Sequence, residues 1–322
     1  VPYTVNDKEW DNSYVCSPYN QFVTYAKEEL YLIRSKVAKW ILTIIIDLFG
    51  ALAKWSGLNK NIIFNNWLFS TNLYGDLEKD HISQLVEFAK KNYKDHAILF
   101  RSVNKCVYGK LLDNLKDLRF SLVGSRQIYY VNPQNKKNLH RHSLRIDLKL
   151  LKKTDYTIEL VTNPQDSEAS RIINLYNQLY LEKYSYNNPQ YTEYFIRQTL
   201  KNGIFKCYAL KKNNQINGML CLFSRGGVMT PSLIGYDRSL PRSEGLYRLI
   251  MISAFLIARK ENKIIHYSSG SASYKRFPGG MPDIEYIAVH HSHLSWRRRF
   301  AWKVLELIIN TIGVPIMKKY KL

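Results

Sequence analysis

The sequence predicts a mixed α/β protein, an α+β mixed sheet carried on two lobes. Three observations lead there. Alternating runs at 204–211, 215–223 and 228–236 read as a three-strand meander. Helical-period runs and apolar strand-like runs follow one another through both halves of the chain. At 322 residues and 46% hydrophobic content, the chain is long enough to bury two cores.

Residues 1–57 read as an arm followed by an apolar helix. The first thirty residues are aromatic and polar with little periodicity. Residues 24–55 are helical in period, with a break expected at Gly50 or Gly57. Within them, 40–55 is apolar except for Thr43, Asp47, Gly50 and Lys54. A spanning helix needs about 20 apolar residues, so this run is short. Trp40 and Trp55 at its ends, with Arg34, Lys36 and Lys39 before it, suit a helix lying in a membrane interface. A helix buried between lobes is the other reading. The closing segment, 296–322, repeats the theme as a basic amphipathic helix: Arg297–Arg299 precede Phe300, Trp302, Leu305 and Ile308.

The first lobe, 58–150, reads strand (61–70), helix (81–93), strand (96–101), helix (107–118) and strand (119–131, interrupted at Gly124). Ile82, Leu85, Val86 and Ala89 mark the buried face of its first helix. The second lobe, 151–295, opens with a strand at 156–161. Asn163-Pro164-Gln165-Asp166 then reads as a helix start, with Asn as cap and Pro at the first position. Ile172, Leu175, Tyr176, Leu179 and Tyr180 give that helix its stripe, and Gly203 closes a second helix over 190–202. Pro231 falls inside the third meander strand. It cannot donate to a ladder, so an edge or a bulge is expected there. A loop (238–245), an apolar helix, a strand (263–268), a short helical stretch (274–277) and a last strand (284–290) complete the lobe.

The net charge is +21. It suits a nucleic acid, an anionic membrane surface or an acidic donor, although a solvated basic surface accounts for most of the clusters. The four cysteines form no CxxC pair, so neither a disulfide framework nor a metal site is expected. The opening ten residues lack an apolar leader core, and a reducing cytoplasm is the expected location, peripheral at the inner face of the membrane if the apolar helices dock there.

A meander that opens onto a helix N-terminus and returns to the sheet builds a slot floored by backbone N–H groups, which suits a pyrophosphate. That order resembles the GNAT superfamily of N-acyltransferases. Arg242-Ser243-Glu244-Gly245-Leu246-Tyr247 matches the first four positions of the family's donor loop, with Tyr247 where a small residue is usual. The segment from His266 through Tyr274, Lys275 and Phe277 to Gly280 is similar to two branches. These are the cellulose-biosynthesis (BcsL/CelD-like) acyltransferases and the Fem-type transferases that use aminoacyl-tRNA; Pro278 interrupts the aromatic–Gly step. The resemblance implies that 58–150 is a degenerate GNAT-like lobe in a tandem arrangement and that 151–295 is the acyltransferase lobe.

The resemblance also implies the chemistry. An acyl-CoA or acyl-carrier-protein thioester would place its pyrophosphate on the amides of Glu244–Tyr247, helped by Arg242, Ser243 and Arg238. Asp237 or Glu285 would take the proton from the amine; otherwise Asp237 bonds its own backbone and Glu285 is an outward strand residue. His266 is a further base or a satisfied core histidine. Tyr274 would protonate the departing thiolate or simply pack, and Lys275 would bind a phosphate-bearing substrate or be solvated. Tyr236, with Met219, Leu220, Phe223 and Met229, would line an acyl tunnel or form core.

The expected activity is transfer from the thioester to an amine or lipid-like acceptor without a metal. Two alternatives stand beside it: an aminoacyl-tRNA-dependent transferase, and a non-catalytic membrane-surface or nucleic-acid-binding protein on the same scaffold.

Overall fold

The structure is a computed structural model that describes residues 1–269 and 279–320. Two compact units emerge: residues 1–128, 187–189 and 283–322 form the first, and 129–186 with 190–282 the second. The expected lobe boundary at 150 therefore moves to 129, and the last strand belongs to the first unit rather than to the acyltransferase lobe.

The first unit opens with β1 (Tyr3–Asn6), a short helix α1 (Tyr25–Glu29) and the long α2 (Lys36–Ser56). Ser35 caps α2 by accepting the Ala38 N–H, and Gly57 ends it in the left-handed conformation at φ 68°. The chain continues through β2 (Asn61–Phe64), α3 (Lys79–Asn92), β3 (Ala97–Asn104), α4 (Lys105–Asp117) and β4 (Ser121–Val131). The strand expected over 61–70 stops at Phe64, where Asn65 and Leu68 turn to positive φ. β1 pairs antiparallel with β2, which pairs parallel with β3. β4 runs unbroken through Gly124, against which Val314 packs so closely that a Cβ there would lie 2.4 Å from it.

The second unit takes the last three residues of β4, then the short helix α5 (Lys136–Leu139) and α6 (His142–Lys153). Next come β5 (Thr157–Val161), α7 (Asp166–Tyr180), α8 (Glu193–Lys201), β6 (Phe205–Lys212), β7 (Gln215–Arg225), β8 (Val228–Tyr236), α9 (Leu246–Lys260) and β9 (Ile264–His266). Its sheet runs β4-β9-β8-β7-β6-β5. The pairs from β5 to β8 are antiparallel and β8–β9 is parallel. The cap of α7 is Gln165, reciprocated by Glu168, rather than the expected Asn163: the side chains at 165 and 168 have the reach for a capping box. One core cluster gathers Tyr129, Leu144, Leu220, Met229, Leu249, Ile250, Phe255 and Ile265 around α9. Burying each such side chain contributes about 1.5–3 kcal/mol.

The chain then returns to the first unit with β10 (Met281–His290), antiparallel to β3, and the C-terminal helix α10 (Trp296–Tyr320). Trp302 of α10 is fully buried with Phe49, Ala53, Leu99 and Val289, so the inner faces of α2 and α10 share one core.

Candidate functional site in the second unit

Strand β8 shapes the site. Cys221 pairs with Leu233, but Leu222 pairs with Pro231, which leaves Ser232 as the extra residue of a bulge. Pro231 sits where the ladder is already broken, because it has no N–H to give. On its other edge β8 pairs with β9 only at Val228–Ile264 and Met229–Ile265. From Thr230 to Tyr236 the strand has no β9 partner among the described residues, because β9 ends at His266. The hydroxyls of Thr230 and Ser232 are buried and make no hydrogen bond among the described residues. Gly235 is needed for packing: a Cβ there would lie 2.5 Å from the backbone of Leu175 in α7.

Beyond β8 the loop tightens into a single 3₁₀ turn, Arg242–Glu244, and Gly245 enters α9 at φ 66°. The first bond of α9 runs from Leu249 N–H to the Gly245 carbonyl at 3.0 Å, so a helix N-terminus does open onto this loop. Helix α6 packs against it. Leu150 Cδ2 lies 2.8 Å from the point a Cβ on Gly245 would occupy. Asp147 binds Arg248 in the first turn of α9, with Oδ1 2.6 Å from Nε and 2.5 Å from Nη2. Between the two helices, the gap lined by Leu144, Met251, Phe255 and Tyr267 is about 10 Å³, enough for one water at most. Glu244 pairs with Lys212 at 3.3 Å, while Arg242 and Ser243 are exposed.

Asp237 accepts from Arg171 Nη2 at 2.6 Å and from both the N–H and the hydroxyl of Ser239, at 2.9 and 2.6 Å. Burial pulls its carboxyl upward, but the bonds from Ser239 and Arg171 outweigh that and hold it below the usual aspartate range. It thus caps its own loop through the Ser239 N–H. Arg238 turns to α7, where its Nη1 donates to the Gln178 carbonyl at 3.0 Å. Tyr236 and Tyr247 meet edge to face, 6.3 Å between centroids. His266 is fully buried against Tyr130, and its Nδ1 accepts the Ser268 N–H at 2.9 Å.

Asp237, His266, Tyr236 and the loop from Arg238 to Tyr247 all lie in the second unit. Glu285 lies in the first, 1% exposed, with both oxygens on Arg126: Nε to Oε1 is 2.9 Å and Nη2 to Oε2 is 3.3 Å. Tyr274 and Lys275 lie outside the described residues. The sequence reading missed Arg171, Asp147, Leu150 and Arg126, because each acts on a residue 66 or more positions away and no local motif marks it. It also missed Glu29, whose carboxyl burial raises to about 7 while Arg126 pulls it down.

A bulged meander strand, a short parallel neighbour and a helix that starts on a tight glycine turn define the GNAT fold, and the chain has it. No protein-family model matches the sequence, and no curated protein does. Among solved structures, the chain is similar to L-PGS from Bacillus licheniformis, at 14% identity and TM-score 0.52 over 71% of this chain and 78% of that one. It is also similar to the C-terminal domain of an Agrobacterium fabrum protein assigned as a lysylphosphatidylglycerol synthetase, at 15% identity and TM-score 0.50 over 72% and 77%. FemX follows at 10% identity and TM-score 0.49 over 71% and 80%.

Proposed function

We propose that the chain is an acyl-group transferase that carries an acyl group from an activated donor to an amine or lipid-like acceptor. The short pairing between β8 and β9 supports this most directly. Beyond the last β8–β9 pair, the backbone from Thr230 to Tyr236 has no β9 partner among the described residues, and the buried Thr230 and Ser232 hydroxyls there lack a bond that a polar donor arm could supply. Attack of the acceptor's amine or hydroxyl on the donor carbonyl forms a C–N or C–O bond, breaks the bond to the carrier, which leaves with the electron pair of that bond and is protonated, and passes the nucleophile's proton to solvent or a base. Ordered donors beside the developing oxyanion supply most of the rate.

Two donors remain in play. A CoA or carrier-protein thioester brings its own leaving group and needs a pyrophosphate cradle at Gly245. As arranged, that cradle fits poorly: Leu150 fills the space glycine leaves, and the Asp147 carboxylate stands at the same helix end where an anion would bind. This favours the second reading, an aminoacyl ester of tRNA, whose phosphates need not enter the loop and whose polyanionic body suits a chain of charge +21. The similarity to lysylphosphatidylglycerol synthetase domains agrees with an aminoacyl group and a lipid acceptor. The test presents the purified protein with mass-tagged acyl-CoA, acyl-carrier protein and lysyl-tRNA in turn, with phosphatidylglycerol vesicles as acceptor. Transfer from lysyl-tRNA alone supports the second reading. No transfer from any donor, with none co-purifying, overturns the assignment.

We infer a place at the inner membrane face from the first unit. Outward along α2, Val37, Trp40, Ile41, Ile44, Leu48 and Trp55 form an exposed apolar stripe at helical spacing, Trp40 66% and Leu48 69% exposed. Trp296, Phe300 and Leu307 continue it on α10, and the Trp55 and Trp296 rings meet at 5.8 Å. Lys36, Lys39, Arg297, Arg299 and Lys303 flank the stripe as cations would at an anionic surface. By length and composition α10, with mean hydropathy 1.4 and 17% of that stretch buried, is also apolar enough to cross a membrane.

A further inference from the structure

In the first unit, two buried arginines share one carboxylate. Arg126 takes both oxygens of Glu285 and also donates from Nη2 to the Ser70 carbonyl at 2.6 Å and to Thr71 Oγ1 at 2.9 Å. Arg101 feels Glu285 as a nearby charge and makes no hydrogen bond to it among the described residues. The Arg101 side chain is 3% exposed, its Nε has no hydrogen-bond partner among the described residues, and its Nη1 makes one long bond to the Phe69 carbonyl at 3.5 Å. Its guanidinium lies over the Tyr14 ring, 5.7 Å from the centroid.

The backbone puts it there. Phe100 pairs with Ala288 and Val103 with Tyr286, so Arg101 and Ser102 together oppose the single residue Ile287. This is a β-bulge, and Ser102 holds φ at 63°, a left-handed conformation that a serine adopts only at a cost. Two bonds pin the bulge: Ser102 Oγ accepts the Asn72 N–H at 2.9 Å, and the Tyr74 hydroxyl donates to the Arg101 carbonyl at 2.5 Å. A strained, pinned bulge here delivers a guanidinium into the interior and leaves its Nε without a bond among the described residues. A buried charge without a partner is among the costliest arrangements a fold can keep. Glu29, the other acid near Arg126, is half protonated near neutral pH and does not restore the balance.

We propose that Arg101 and Arg126 form a subsite for an oxyanion, a phosphate or carboxylate group carried by a ligand of the first unit. Arg101 offers its unbonded Nε and the weakly engaged Nη1, Arg126 adds charge, and Tyr14 holds the guanidinium plane. The subsite rests on the first unit alone and on neither donor reading of the second.

The test is the unfolding temperature of the full chain titrated with inorganic phosphate, and separately with succinate, at ionic strength held constant with sodium chloride. The wild type is expected to gain stability saturably with at least one of the two, and which one responds assigns the oxyanion. Arg101→Met is expected to weaken that binding about tenfold or more and to raise the unfolding temperature without added anion, since it removes a buried charge whose Nε is left unbonded. Arg299→Met, an exposed control, keeps the wild-type response. If Arg101→Met does not fold, Arg101→Lys, which keeps the charge and loses the fork, is read instead and should lose the saturable response. No saturable gain in the wild type, or an unchanged gain in the Arg101 variant, overturns the proposal.

Discussion

Leu150 and Gly245 stand in direct contact: the leucine Cδ2 is 2.8 Å from where any β-carbon at 245 would be. Gly245→Ala should therefore destabilise the protein by about 1–3 kcal/mol, through both the clash and the positive φ of 66°. In a Leu150→Ala background part of that cost should vanish, and urea denaturation of the four proteins reads the coupling. The same Leu150→Ala variant should bind CoA measurably tighter than wild type if the loop is a covered pyrophosphate cradle. Unchanged binding leaves the loop without a CoA role.

The Arg126–Glu285 pair should behave as a buried ion pair. Glu285→Ala leaves Arg126 with no carboxylate and should cost about 3–5 kcal/mol. The double variant Arg126→Met with Glu285→Leu should cost less than either single change, because no charge is stranded. Chemical denaturation of all three separates this from an exposed pair, which would cost about 1 kcal/mol or less.

Stability should also carry a pH signature from Glu29. Its carboxyl is raised from the ordinary 4.5 to about 7, chiefly by burial. The folded state therefore holds the proton more firmly than the unfolded chain does between those values. Stability falls as pH rises through that window and is flat above it, by about 3 kcal/mol in total. His290 works in the opposite sense: burial lowers it to about 4, so its contribution is lost as pH falls from 6.5 toward 4. The difference between wild type and Glu29→Gln, followed by thermal unfolding from pH 5 to 8, isolates the glutamate. A flat difference curve would remove it as a titrating group.

Apolar residues exposed on the stripe can be changed without unfolding the chain. Leu48→Glu with Trp296→Glu should leave the unfolding temperature nearly unchanged and abolish co-sedimentation with phosphatidylglycerol vesicles. Wild-type binding should weaken with salt and be small on phosphatidylcholine. A dimer that the same substitutions dissolve, with no vesicle binding in the wild type, would make the stripe an interface between copies instead.

Much of the architecture is local and was legible. The meander from Phe205 to Tyr236 shows in its period-2 alternation and in the Asn213-Asn214 and Gly226-Gly227 turns. Pro231 announced the bulge because a missing donor is a property of one residue. Gly245 announced the tight start of α9 for the same kind of reason. The surroundings of the site were not legible. Asp237 is tied by Arg171, Gly245 is covered by Leu150 and Glu285 is consumed by Arg126, across sequence gaps of 66, 95 and 159 residues.

Taken alone, the sequence determined the class of the fold, the order of strands and helices in its second half, the loop on which a donor would be sought and the apolar stripe on α2. These follow from periodicity and backbone freedom, which a chain carries at every point along itself. Only the tertiary structure decided where the units divide, that β10 pairs with β3, that β8 and β9 pair over only two residue pairs among the described residues, and that Arg101 is buried with its Nε unbonded among them. Those depend on which distant segments meet, and pairing and desolvation are properties of the meeting rather than of either segment.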